Sequence, residues 1–451
     1  MRALASAAAL CAAAALRDAP LTLRDAPLAA ATPLLYLDSP AAAWTASEPS
    51  LGLAVPATVP GDIVSDLQRA RVIGDPYYEL NFLDNRTLWD AAARAWNFST
   101  TVALPPPGAA PGAALLLVFE GIKMGARVAL NGVPLGAVTN QFARAVFELP
   151  AAAVVAGGGN RLDVVFDGTL PLAGRYMACS GGWDWAFFSQ LQRTDVETGV
   201  ETTFSSGIWK SVYVAAVAPA AAAVTALTPR ITYLGAYPVG ALVDGAHAGF
   251  SVNVTAHLWA PPGGATGTLS LAGAWAGAAA ASPLLTLAAG DSTYALTLAA
   301  PAAAIRLWWP NGLGGQPLYN LTATWTPAAG GAGGAATAVR RVGFRTAALV
   351  TVNDTNATVV QESTGANGSG SGFGLFFRIN GAAIYARGGN VVPMEELEGR
   401  LDAVAYATLV NSAADANMNM MRVWGGGIYP PDVRLRAPRA ARRPRRPRLR
   451  P

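Results

Sequence analysis

The 451-residue chain is poor in lysine, histidine and cysteine, each of which anchors whole classes of function. It holds two lysines, Lys123 and Lys210, with two histidines and two cysteines. So little cysteine excludes a disulfide framework: Cys11 falls in a leader-like start, and Cys179, left without an intramolecular partner, reads as a free, partly buried thiol. His247 and His257 stand ten residues apart in a β-type region with no Cys or Glu beside them, a pattern that argues against a metal site. Gly425 to Gly427 lack the following Lys-Ser/Thr of a phosphate loop, and no cofactor is expected. Beyond the N-terminus no run reaches the roughly 18 uncharged apolar residues that cross a bilayer, so no membrane span is expected and a soluble product is.

Charge is also scarce, at 13% of residues against 52% hydrophobic, which excludes a disordered chain overall. Much of that hydrophobic fraction is alanine, which weakens it as a measure of core-forming power. The net charge of +4 suggests a basic protein until its position is considered. Nine arginines lie between Arg434 and Arg450, and without them the charge falls from +4 to −5. The body is therefore mildly acidic, and only the tail could attract an anionic partner. That tail has no aromatic residue for base stacking and its prolines forbid a helix, so no nucleic-acid partner is expected.

At the start, "MRALASAAALCAAAAL" pairs Arg2 with a short apolar run, the pattern of a secretory signal peptide, with a transit peptide as the alternative because Arg17 and Arg24 follow. Asn-x-Ser/Thr sequons occur at Asn85, Asn97, Asn253, Asn320, Asn353, Asn356 and Asn367, seven of the seventeen asparagines, and favour passage through the secretory pathway. The expected destination is lysosomal, vacuolar or extracellular.

Between residues 31 and 218 short β-type runs alternate with turn signals. The clearest are "ALLLVFEGI" (114–122), "ARVALNGVPLG" (126–136), "RLDVVFDG" (161–168) and "SGIWKSVYVAAV" (206–217), with Asn131-Gly132 as a hairpin pair. Strands at this spacing without long helices predict an antiparallel sandwich. Residues 219–348 repeat the pattern on a smaller scale, as an immunoglobulin-like sandwich would. A polar, Gly/Ser-rich linker follows near 351–372. Within 349–432 the period then changes. "FFRINGAAIYARGGNVVP" (376–393) predicts a hairpin about Asn380-Gly381 running into a Gly-Gly-Asn turn. Leu401, Val404, Ala405, Thr408, Leu409 and Ser412 recur at helical spacing, and "MNMMRVWGGG" supplies a further strand. The predicted fold is mainly β: a jelly-roll sandwich, an immunoglobulin-like sandwich, then the first one to two β/α units of a (β/α)8 barrel. Residues 1–30 are assigned to targeting and 433–451 to an unstructured Arg/Pro tail.

The motifs "VPGDIVSDLQRARVIGDPYYELN" (59–81), "FEGIKMGARVALNG" (119–132), "CSGGWDWAF" (179–187), "GIWKSVYV" (207–214), "LWWPNGLGGQPLY" (307–319), "RRVGFRT" (340–346) and "ANMNMMRVWGGGIY" (416–429) carry a resemblance. The chain resembles the β-mannosidase branch of the glycoside hydrolase family that also holds β-galactosidases and β-glucuronidases. That resemblance implies an exo-acting enzyme releasing terminal β-D-mannose from glycan or mannan ends, with a β-mannoside oligosaccharide or N-glycan-derived substrate. A sister β-galactosidase or β-glucuronidase activity, or a non-catalytic carbohydrate-binding sandwich, stays open.

Trp183 and Trp185 flank Asp184, and in a strand the two indoles would share one face. They could offer an apolar platform and a charged acceptor to a pyranose, or pack a sandwich core with the Asp capping a turn. The resemblance implies the first role. It also implies that Asn390, at the end of the first barrel strand, exchanges hydrogen bonds with the sugar; its own turn is the alternative. Trp424 would stack on the sugar, while Arg422 would lie deeper and pair with barrel carboxylates. "LWWPNG" reads as packing for the second sandwich. Retaining glycosidases place two carboxyl groups about 5–5.5 Å apart. The resemblance puts both on later barrel strands, so no catalytic residue is assigned here. Glu395, Glu396, Glu398 and Asp402 fall in the loop and helix after the first strand and are not nominated. Past Asp432 the composition collapses to Val, Arg, Leu, Ala and Pro, as a reading frame or exon boundary lost near Val433 would produce, with a true shorter isoform as the alternative.

Overall fold

The structure, a computed structural model, describes residues 21–23, 34–89, 94–123, 125–170, 205–328, 334–351, 375–395, 397–425, 430 and 433–435. The architecture is mainly β, as predicted.

The first sandwich faces a six-stranded sheet against a four-stranded one. Strand order in the larger sheet is Leu53–Ala57, Trp44–Glu48, Asn97–Ala103, Gly159–Phe166, Ala126–Leu130 and Val133–Val138. In the smaller it is Leu34–Tyr36, Val212–Val217, Ala114–Phe119 and Ala145–Glu148. Alternation decides which side chains enter the core. Along Gly159–Phe166, residues Asn160, Leu162, Val164 and Phe166 are buried while Arg161 stays out. Trp89, Trp96, Phe98 and Phe119 fill the space between the sheets. The predicted Asn131-Gly132 turn is present, with both residues at positive φ as a two-residue hairpin turn requires.

Ala114–Phe119 departs from alternation, with every residue after Ala114 buried. Leu115, Leu117 and Phe119 face the first core, and Leu116 and Val118 face a second cluster with Tyr213, Ala215 and Val217. Trp259, from the next sandwich, packs on that outer cluster. The continuous apolar run in the sequence thus reflects two covered faces. Arg144 reinforces the junction: its Nε donates to Glu120 Oε2 at 2.8 Å and its Nη1 to the Thr225 carbonyl at 2.9 Å.

The second sandwich packs Ala223–Tyr233, Phe250–Ala260 and Gly290–Ala300 against a sheet built on Ala265–Gly273, Tyr319–Pro327 and Ala336–Val342. Phe250, Val252, Val254, Ala256, Leu258 and Ala260 alternate into its core, which Trp325 and Phe344 complete. Asn253 and Asn320, two of the sequon asparagines, are exposed on its strands.

A three-stranded sheet, Ala347–Val350, Phe376–Ile379 and Ala382–Ile384, leads out of this domain. Its hairpin turns at Asn380-Gly381, as predicted. Gly381 sits at φ +78°, and a Cβ there would stand 1.9 Å from the Gly240 carbonyl oxygen, so only glycine allows the approach. The adjoining Gly-Gly-Asn, predicted as a turn, is instead a strand: Gly388–Val391 pairs in parallel with Met420–Val423. A parallel partner some thirty residues away satisfies these backbone groups, and glycine content gave no hint of it. The Ala403–Asp415 helix connects the two strands, the first β/α unit of a barrel. The predicted face of this helix is not its buried one. Ala403 and Ala413 are buried, whereas Val404 is 58% exposed.

The tail, assigned as unstructured from Val433, begins with a short strand, Val433–Leu435, paired antiparallel to Leu21–Leu23 within the predicted targeting segment. Both triplets carry β-compatible side chains, and the ladder pairs their backbones. The predicted 351–372 linker, apart from its first residue, lies outside the described residues, as does Cys179. Among the described residues no helix is long and apolar enough to cross a membrane.

Candidate functional site

The parallel pair Gly388–Val391 and Met420–Val423 fixes the centre of the candidate site. Its register sets Asn390 opposite Arg422 and Val391 opposite Val423. Both polar side chains therefore emerge near the C-terminal ends of adjacent barrel strands, where such barrels carry their chemistry. Arg422 Nη1 donates to Asn390 Oδ1 at 2.9 Å. This bond uses the amide oxygen of Asn390, whose Nδ2 is the donor end of the amide. The Trp424 backbone N–H donates to the Val391 carbonyl at 3.1 Å, which brings Trp424, half-buried, to the same strand end.

Arg422 differs from its predicted role. It was expected deep and paired with carboxylates; among the described residues it is exposed and bonded to Asn390. In a parallel ladder opposed residues share a face, and Asn390 is the nearest acceptor. Asn390, Arg422 and Trp424 are thus brought together. Trp183, Asp184 and Trp185 lie outside the described residues.

The four carboxylates not nominated include two with visible duties. Asp402 caps the barrel helix, accepting from the Ala405 N–H at 2.8 Å. Glu395 bonds to the Tyr77 hydroxyl and, at 3.2 Å, to Arg400. Both make structural contacts. The side chains of Glu396 and Glu398 lie outside the described residues.

Both sandwiches hold this unit. Asn311, in the "LWWPNG" segment, donates through Nδ2 to the Ala414 and Met418 carbonyls at 3.4 and 3.0 Å, closing the C-terminal end of the barrel helix. Sequence reading placed that segment in sandwich packing and missed this second role. Asn380, fully buried, accepts from the Thr346 N–H and donates to the Trp308 carbonyl, each at 3.0 Å.

From the first sandwich the Ile63–Arg69 helix approaches. Its cap Asp62 accepts from the Ser65 N–H at 2.9 Å and from the Gly399 N–H at 2.7 Å. Inside that helix Asp66 is fully buried, and burial pushes its carboxyl up to about 7 against the opposing pull of Arg69. Asp66 Oδ1 accepts from the Thr58 N–H at 3.0 Å and pairs with Arg69, while no hydrogen bond reaches Oδ2. The one sequence signal for these residues was an acidic residue directly ahead of an apolar run, the mark of a helix N-cap.

A cleft of about 900 Å³ opens elsewhere, between the two sandwiches. It is lined by residues such as Pro105, Pro111, Pro219 and Pro261, with Glu148 as its charged member, and contains none of the candidate residues.

Residues 43–173 match the family described as glycosyl hydrolase 2 galactose-binding domain-like. The chain is 27% identical over 407 residues to β-mannosidase A of Aspergillus terreus and 27% over 427 residues to β-mannosidase of Bos taurus, each covering 86% of this chain. The chain spans 42% of the length of each of these curated relatives. Among solved structures, β-D-mannosidase from Dictyoglomus thermophilum aligns with a TM-score of 0.64 at 23% identity, over 88% of this chain and 44% of that one. Exo-chitosanase from Amycolatopsis orientalis aligns at 0.56 and 18%, over 90% and 41%. These structures share the fold: two β-sandwiches leading into a barrel. Residues 43–173 are thus similar to a glycosyl hydrolase 2 domain, and the similarity to curated β-mannosidases extends over 86% of the chain.

Proposed function

We propose that this chain is the sandwich and first-barrel-unit portion of a β-mannosidase-like glycoside hydrolase that releases terminal β-D-mannose from glycan or mannan non-reducing ends. The observation that carries this reading is the similarity to curated β-mannosidases along 86% of the chain. The substrate is a β-mannoside oligosaccharide or an N-glycan-derived one. Asn390 Nδ2 donates to a sugar hydroxyl while Arg422 holds the amide in place. Trp424 offers its indole to the apolar face of the ring, and Trp183, Asp184 and Trp185 complete the contact with the terminal mannose. The chemistry is a retaining displacement by two carboxyl groups about 5–5.5 Å apart, one as nucleophile and one as acid/base. Those groups belong to later barrel strands, so 1–451 by itself binds without turnover. The leader-like start and the exposed Asn253 and Asn320 sequons support a secretory, lysosomal, vacuolar or extracellular destination.

A panel of aryl glycosides given to a protein carrying the whole barrel tests the reading. Hydrolysis of the β-mannoside well above the β-galactoside and β-glucuronide is expected. Preference for either of the others would move the assignment to a sister activity. Mannose binding without turnover by the complete protein would favour a non-catalytic carbohydrate binder.

A further inference from the structure

The loop that follows the first barrel strand is gripped by the first sandwich, more than three hundred residues earlier in sequence. Gly399 is held on both sides of its backbone: its N–H donates to Asp62 Oδ2 at 2.7 Å, and its carbonyl accepts from Arg69 Nη1 at 3.2 Å. Asp62 serves two segments at once, because its other oxygen caps the Ile63–Arg69 helix. The fit is close. A Cβ on Gly399 would meet Ser65 Cβ at 2.7 Å and Asp62 Oδ2 at 2.9 Å. Leu397, two residues earlier, is 1% exposed and belongs to the core of the first sandwich.

A second set of contacts surrounds the backbone grip. The Tyr77 hydroxyl bonds to Glu395, and Arg400 lies over the Tyr77 ring at 4.9 Å. Arg400 also reaches Asp75 Oδ1 at 3.2 Å and Glu395 Oε2 at 3.2 Å. All the sandwich partners come from the single stretch 59–81, and all the barrel partners from 395–400. Asn390 lies five residues before Glu395 on the same chain segment.

We infer that Asp62, Arg69 and Tyr77 are positioning residues: they fix the 395–400 loop and thereby set where Asn390 meets the sugar. The sugar part of this role rests on the proposed function, and the mechanical part does not. A loop anchored at Leu397 and Gly399 cannot drift, so the segment between it and Asn390 is short and tied at both ends. Loosening the anchor frees Asn390 without touching Asn390, Arg422 or Trp424.

Hydrogen exchange of the intact chain measures the anchor, and titration with methyl β-D-mannoside measures its consequence. In Gly399→Ala and Asp62→Asn, amides 390–400 should exchange at least tenfold faster than in the unaltered chain, with the 114–130 strands unchanged. Mannoside affinity should fall about fivefold or more. Should either variant fail to fold, Tyr77→Phe at a half-buried ring and Arg400→Met at the surface carry the same comparison, with smaller effects in the same direction. Unchanged exchange at 390–400 in folded variants overturns the anchor. Faster exchange with unchanged mannoside affinity overturns the positioning role. If the unaltered chain binds no mannoside, the functional reading loses support, while the exchange data still decide the anchor.

Discussion

The first sandwich and the barrel unit treat their apolar side chains in opposite ways. In the sandwich, Trp89, Trp96, Phe98 and Phe119 are all fully buried by residues of the same domain. In the barrel unit Tyr385 is 81% exposed, and Val404 and Val410 lie more than half open. Among the described residues the parallel sheet has only the Gly388–Val391 and Met420–Val423 strands, too little to bury its own faces. The barrel unit is ordered by hydrogen bonds borrowed from its neighbours: Asn380 and Asn311 on one side, Asp62 and Arg69 on the other. A self-sufficient scaffold thus carries a dependent barrel unit.

Substitutions can sharpen that contrast, beginning with the largest effect. Trp96→Ala in the sandwich core should cost about 3–5 kcal/mol and lower the thermal midpoint steeply, whereas Val404→Ala in the barrel helix should stay within about 0.5 kcal/mol. Calorimetry of the two variants measures the difference; comparable losses would erase the distinction between the regions.

Asn380→Ala comes next. It strips the half-buried Thr346 N–H and Trp308 carbonyl of their partners, at up to about 1–3 kcal/mol for each group left unsatisfied. The loss should be local, so limited proteolysis should cut 376–423 earlier while leaving both sandwiches intact. Simultaneous loss of the sandwiches would show that the hairpin belongs to the second core.

Asp66 gives a pH-dependent test. Its folded-state value, about 7, lies above that of an exposed aspartate. The proton is therefore held more tightly in the folded chain, so the stabilising contribution is fully present in acid and is lost as pH rises through about 7. Asp66→Asn, which mimics the neutral acid and keeps the acceptor for Thr58 and Arg69, should stabilise the first sandwich at pH 8 and change it little at pH 4. A benefit equal at both pH values would remove burial of the charge as the cause.

Arg422→Ala should have the smallest effect on stability, because the guanidinium is exposed, and should weaken mannoside binding by releasing the Asn390 amide. Thermal melts and titration separate the two.

Most of the sandwich architecture was legible, because alternation and turn residues act locally. "RLDVVFDG" and the Asn131-Gly132 pair state their strand and turn without reference to anything distant. Where partners are remote, the sequence said less. Gly388-Gly389-Asn390 carries a turn-like composition, yet a parallel strand about thirty residues away makes it a strand. The barrel helix was found, but its buried face was misassigned, since the face that packs depends on which neighbours are beside it. Asp62 could be read as a helix cap; its bond to Gly399, 337 residues away, had no local signature. Asn390 and Trp424 were nominated through motif resemblance and lie at the same strand end, while the direct Arg422–Asn390 bond needed the strand register.

Hydrolysis of an aryl β-mannoside by purified 1–451 protein tests the division between scaffold and chemistry most directly. On the proposed function no turnover is expected, since that reading puts both reacting carboxyl groups on later barrel strands. Turnover that survives purification and responds to substitutions within 1–451 would contradict that assignment and require catalytic carboxylates inside it.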